Sequence, residues 1–148
     1  MSTGWWALLG TVAVTLALGT LHRVREGRVR RKESAEVAVA EPEGLLEGLP
    51  EAVRAALGGG VTLVQLSSTF CAPCRHARVL LSDLAGRTEG LRHVEIDLTE
   101  RPELARRLGV LRTPTTLALD AAGRELLRVS GVPRRDALLD ALRPHLPG

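Results

Sequence analysis

The two cysteines of the chain, Cys71 and Cys74, stand two residues apart in Phe70-Cys71-Ala72-Pro73-Cys74-Arg75. Two intervening residues at the start of a helix bring two sulfurs close enough to bond without moving the backbone, so the pair could cycle between dithiol and disulfide. Amides at a helix N-terminus favour a thiolate on the first cysteine, which makes Cys71 the expected nucleophile. The residues that follow place Ala77, Leu80, Leu81 and Leu84 at helical spacing, and one turn back from Ala77 puts Cys74 on the same inward face. Cys74 is therefore the expected buried, resolving sulfur.

Other chemistries fit these residues less well. A zinc site wants four ligands, and the candidates His76 and His93 have no finger spacing with the cysteines, so no metal is expected. Haem attachment would need histidine directly after the second cysteine, where Arg75 stands. Two cysteines are too few for a disulfide scaffold. Arg75 and His76 read as solvated residues of the first helical turn, with Arg75 placed where its charge could favour a Cys71 thiolate. Asp97 ends a strand ahead of a helix and reads as a turn or cap residue. No cofactor is implied.

A strand–helix alternation positions the cysteines. Val61–Leu66 is an apolar, β-branched run of strand length, and the cysteine motif begins four residues later, at the carboxyl end where α/β sheets carry their chemistry. Pro50–Leu57 predicts a short helix stopped by Gly58-Gly59-Gly60. Leu91–Asp97 predicts a second strand and Arg101–Leu108 a helix with Leu104 and Leu108 inward. Thr115–Leu119 predicts a third strand, turned by Ala121-Ala122-Gly123 into Glu125–Val129. Pro133 opens a last helix carrying Leu138, Ala141 and Leu142 and ended by Pro144. The order predicts an α/β fold, a central mixed sheet of at least four strands flanked by helices.

Charge is divided unevenly along the 148 residues: Arg23–Lys32 holds six basic residues and one acid, whereas Glu33 onward holds fourteen arginines against sixteen acids. With aromatics at 2% as well, nucleic-acid binding is not expected of the folded part. Met1–Leu21 carries no charged side chain and at about 1.5 Å per residue would reach roughly 30 Å, the thickness of a bilayer core. Trp5 and Trp6 suit one headgroup region and the arginine cluster after Leu21 the other. The expected layout is a transmembrane helix over residues 1–21, a basic flank and linker over 22–49, and a globular domain over 50–148. A cleaved signal peptide fits less well, because its basic residues should precede the apolar run and Ala38-Val39-Ala40 lies beyond the basic cluster. The basic flank on the C-terminal side predicts the N-terminus outside and the globular domain in the cytoplasm, with the opposite placement as the alternative.

These residues resemble the thioredoxin family over about Pro50 to His145. The resemblance rests on strand Val61–Leu66, Cys71-Ala72-Pro73-Cys74 opening a helix, Thr113-Pro114-Thr115 opening a later strand, and Gly131 after the hairpin. It implies that Pro114 is cis and lies against the dithiol, and that the backbone of Thr113 pairs with substrate. It also implies a substrate groove of Phe70, Ala72, Pro73, Thr113, Pro114 and Gly131. Departures are Phe70 for the usual tryptophan, Ala72 for the usual glycine and His93 for a lysine ahead of Ile96-Asp97. Gln65 stands where the family buries an acid, and an amide cannot take a proton from Cys74.

The expected function is thus a membrane-tethered protein-disulfide reductase acting on disulfide-containing proteins and reset by a separate electron donor, a thioredoxin-reductase-like protein or another dithiol. Its potential should lie nearer about −270 mV than about −120 mV. Alternatives are an exported reductase for envelope-protein or cytochrome maturation and a non-catalytic binding module.

Overall fold

The computed structural model describes residues 3–25, 29–31 and 48–147, with side chains at 5–21 and 48–147. The Ala38-Val39-Ala40 triplet and most of the expected linker lie outside the described residues. The elements are α1 (Thr3–Arg25), β1 (Val29–Arg31), α2 (Glu51–Ala56), β2 (Val61–Ser67), α3 (Ala72–Arg87), β3 (Leu91–Asp97), α4 (Pro102–Arg107), β4 (Thr115–Leu119), β5 (Glu125–Ser130) and α5 (Arg135–Leu142). A 3-10 turn, Arg143–His145, carries Pro144 just past α5.

The strands form one sheet in the order β1-β5-β4-β2-β3. β2 and β3 are parallel and the other pairs antiparallel, as a helical crossover on one side and a hairpin on the other require. The central strands β2 and β4 are buried along their whole length. Alternation along β2 sends Val64 and Leu66 to a core shared with Val53 of α2 and Leu104 of α4, and Val61 and Leu63 to a second core with Leu81 and Leu84 of α3 and Leu138 and Leu142 of α5. Asp83 binds Arg87 and Arg135 and so ties α3 to α5.

Two findings differ from the sequence reading. β1 pairs antiparallel with β5 through Val29↔Val129, Arg30↔Arg128 and Arg31↔Leu127, within the segment expected to be basic flank and linker. Three residues are too few for a periodic signal, and the exposed edge of β5 supplies the pairing. The N-terminal helix forms, and every side chain from Trp5 to Leu21 is exposed. Among the described residues, however, no helix is long and apolar enough to cross a membrane, so the expected transmembrane helix is not supported. Gly10, Gly19 and the intervening threonines dilute the apolar side chains of α1.

At the end of the sheet away from the cysteines, Gly60 has φ +122°, and a Cβ there would overlap the Gly90 carbonyl oxygen. That oxygen accepts the Val61 amide at 2.8 Å, starting β2 and β3 in register.

Candidate active site

Cys71 caps the N-terminus of α3 with an extended backbone (φ −108°, ψ 94°), and the Cys74 amide donates to its carbonyl at 3.1 Å. A disulfide joins Cys71 to Cys74, with Cα atoms 5.2 Å apart. Pro73 fits the first turn because it has no amide to satisfy there. No acid stands in that turn, so nothing on the helix itself neutralises its positive end. Cys74 is 2% exposed and shares the inner face with Ala77, Leu81 and Leu84, while Cys71 is half-buried at the rim.

The Thr113–Pro114 peptide is cis, as the resemblance implied. The Pro114 carbonyl accepts the Gly131 amide at 2.7 Å, which joins the start of β4 to the end of β5. The Thr113 hydroxyl lies 3.0 Å from that of Ser68, which couples the proline loop to the segment leading into the cysteines.

The six residues expected to line one apolar groove lie in two clefts. Phe70 and Ala72 share a cleft of about 770 Å³ with Cys71, Cys74, Ser67, Arg75, Arg78, Glu95 and Asp97. Pro73, Thr113, Pro114 and Gly131 line a second cleft of about 380 Å³ with Val132, Arg112 and Arg134. The surroundings are therefore more polar than expected. Phe70 is 98% exposed and stands as an apolar knob beside Cys71.

Beneath Cys74 lies a polar network that the sequence reading found only in part. Gln65 is fully buried, and its Nε2 donates to the Cys74 carbonyl at 2.9 Å, to Ser67 Oγ at 2.8 Å and to Glu95 Oε1 at 3.2 Å. Its Oε1 lies 3.2 Å from His93 Nε2, and the other ring nitrogen of His93 lies 3.0 Å from Ser82 Oγ on α3. Ser67 donates to Glu95 Oε1 at 2.6 Å. Arg78 grips Glu95 with two hydrogen bonds, Nε to Oε2 at 2.5 Å and Nη2 to Oε1 at 2.9 Å.

The cause is register. β2 and β3 pair Leu63↔His93, Gln65↔Glu95 and Ser67↔Asp97, so alternate side chains of both strands run beneath α3 and turn from apolar to polar toward the cysteines. Gln65 and His93 stood out in the sequence one at a time; Glu95 and Ser67 were missed. Strand alternation was the available signal, but using it required knowing which face α3 covers.

Burial pushes the Glu95 carboxyl upward, but its bonds to Arg78 and Ser67 and the neighbouring positive charge outweigh burial and hold it below the usual carboxylate range. Burial also lowers His93, with the Glu95 charge opposing and Arg78 adding to the effect. Asp97 accepts the Thr99 amide at 2.8 Å and a bond from Thr69, fixing the turn after β3, and its carboxyl is lowered chiefly by the hydrogen bonds from Thr99. No group of three or more metal-ligating side chains occurs among the described residues.

A family model described as Thioredoxin matches residues 51–144. The chain is 30% identical over 88 residues to a thioredoxin of Staphylococcus saprophyticus, covering 59% of this chain and 84% of that one. It is 31% identical to the thioredoxin of Staphylococcus haemolyticus over the same shares. Among solved structures, a mutant thioredoxin from Halobacterium salinarum superposes with a TM-score of 0.56 at 26% identity, covering 66% of this chain and 83% of that one. A thioredoxin from Nicotiana alata shares the fold with a TM-score of 0.55 at 23% identity, covering 78% of this chain and 99% of that one. With a cysteine pair at a helix tip, a cis-proline loop and this matched span, the chain belongs to the thioredoxin family and is a thiol–disulfide oxidoreductase.

Proposed function

We propose that the chain reduces protein disulfides: Cys71 thiolate attacks a substrate disulfide, a mixed disulfide forms, and Cys74 displaces the reduced product. The observation that carries this reading is the inequality of the two sulfurs, Cys71 at the helix tip in an open cleft and Cys74 buried behind it. The resulting internal disulfide is reset by a separate dithiol donor, thioredoxin-reductase-like or otherwise. Substrate rests on Phe70, Ala72 and Pro73 and pairs with the backbone of Thr113 beside Pro114 and Gly131.

The test is reduction of insulin disulfides by the full chain with a chemical reductant, using Cys71→Ser and Cys74→Ser controls. Turnover that both substitutions abolish is expected, with a mixed disulfide trapped by Cys74→Ser. Absence of turnover in the parent chain would favour a binding module. A measured potential near −120 mV rather than about −270 mV would assign an oxidant instead.

The same reading extends to a membrane tether with the catalytic domain in the cytoplasm. It is supported by the uncharged stretch Met1–Leu21, the exposed apolar surface of α1 and the basic cluster that follows. Sheet register adds a geometric point. Val29 pairs with Val129, Val129 with Thr116 and Thr116 with Gln65, so β1 starts at the dithiol end of the sheet, three strand spacings or about 14 Å from β2. Residues 26–28 reach at most about 14 Å from Arg25 to Val29. A membrane-seated α1 would thus hold the dithiol near the bilayer surface, within reach of disulfides there. Retention of the full chain in membranes after alkaline carbonate washing tests the tether. Labelling of Cys71 in intact cells by an impermeant thiol reagent would place the domain outside, as for an exported reductase.

A further inference from the structure

The resolving step needs a proton acceptor for Cys74, and Gln65 cannot be one. Cys74, Ser67 and Glu95 line the same cleft, and Glu95 joins the Cys74 peptide through Gln65 in two hydrogen bonds of 3.2 and 2.9 Å. We propose that Glu95 is the proton acceptor that serves Cys74, displaced by one strand from the position where the family buries its acid. The proposal rests on the disulfide-reductase reading.

The other groups around the cleft do not fit the role. From α3, Arg75 and Arg78 are cations without acceptor capacity. From β3, His93 has both ring nitrogens engaged, by Ser82 and Gln65, and Asp97 at the rim holds the Thr99 turn. Glu95 Oε1 receives Ser67, Gln65 and Arg78, whereas Oε2 receives only Arg78 Nε among the described contacts. Oε2 therefore retains acceptor capacity for a further proton or hydrogen bond. Pairing with Arg78 keeps the carboxylate ionised at neutral pH, so it is empty of a proton when Cys74 must lose one.

In this step the Cys74 thiol gives its proton, through solvent in the cleft, to the Glu95 carboxylate. The thiolate pair forms the Cys74–Cys71 bond while the bond from Cys71 to the substrate sulfur breaks. The substrate sulfur leaves with that electron pair and takes the proton from Glu95. The substrate disulfide is reduced by two electrons and the Cys71–Cys74 dithiol is oxidised.

The test is the rate at which the full chain, charged at Cys71 with a peptide mixed disulfide, releases the peptide thiol. Glu95→Gln keeps the shape and one hydrogen-bond acceptor, and should slow release about tenfold to a hundredfold at neutral pH. Added imidazole should restore part of the loss in Glu95→Gln and leave the parent chain unchanged, while Glu95→Asp should retain most of the rate. A merely structural role would give slowing that imidazole does not relieve. That outcome, or release by Glu95→Gln within twofold of the parent, overturns the proposal. Failure of the parent chain to release thiol at all, with Cys74 intact, would instead overturn the reductase reading on which the proposal rests.

Discussion

Replacing Gln65 with glutamate tests whether the carboxylate has been moved from β2 to β3. Gln65 Nε2 lies 3.2 Å from Glu95 Oε1, so Gln65→Glu sets an anionic oxygen against another where a donor stood. At an effective dielectric constant of about 20 the repulsion at that separation is about 5 kcal/mol. The Arg78 guanidinium on Glu95 offsets roughly half, leaving about 2–3 kcal/mol, or roughly two pKa units on the new carboxyl. A carboxyl raised in the folded state holds a proton that the unfolded chain releases. Its cost is absent below about pH 4, grows as pH rises past the unfolded value of about 4.3, and levels off above the folded value. Urea unfolding of the oxidised chain from about pH 4 to pH 8 should therefore show Gln65→Glu losing about 2–3 kcal/mol more than the parent chain by neutral pH. Adding Glu95→Gln removes the second charge and should recover most of that pH-dependent part, as a double-mutant cycle requires. If the Gln65→Glu stability curve runs parallel to that of the parent across this range, Gln65 and Glu95 do not share a site.

Two predictions concern the same face of the sheet. Because burial lowers His93, the unfolded chain takes up a proton before the folded one, so stability should fall as pH drops through about 6.5 toward the lower native value. His93→Gln should flatten that limb of a urea-midpoint profile, and an unchanged slope would contradict the assignment. Thr116 Oγ1 is buried without a hydrogen-bond partner among the described contacts, so Thr116→Val, of nearly the same shape, should stabilise by about 1 kcal/mol. The corresponding rise in melting temperature is about 4–8 °C, and a fall of similar size would mean that the hydroxyl has a partner.

Most elements were legible because their signals are local. β3 and β4 span the residues that alternation and turn glycines indicated, and β2 runs one residue past its predicted end. Pro133 precedes the final helix rather than opening it, since α5 starts at Arg135, and Ala141 packs only at the core's margin beside buried Leu138 and Leu142. β1 was not legible, because three residues pair only when β5 offers its edge. The six residues expected to form one substrate groove do not form a single shape. The cis-proline loop and the α3 tip divide it into two clefts, one of which brings Arg112 and Arg134 beside Pro114.

By itself the sequence determined that two sulfurs stand at a helix tip after a buried strand, and that no acid lies at position 65. Both follow from spacing along the chain and from residue type. Tertiary structure alone decided what lies beneath those sulfurs. Ser67 and Glu95 meet Gln65 there, and Arg78 reaches Glu95, because β3 pairs in parallel register with β2 and α3 crosses above both strands. Such a meeting depends on which face of the sheet a helix covers and on which residues stand opposite in neighbouring strands, and neither is carried by any local stretch of sequence.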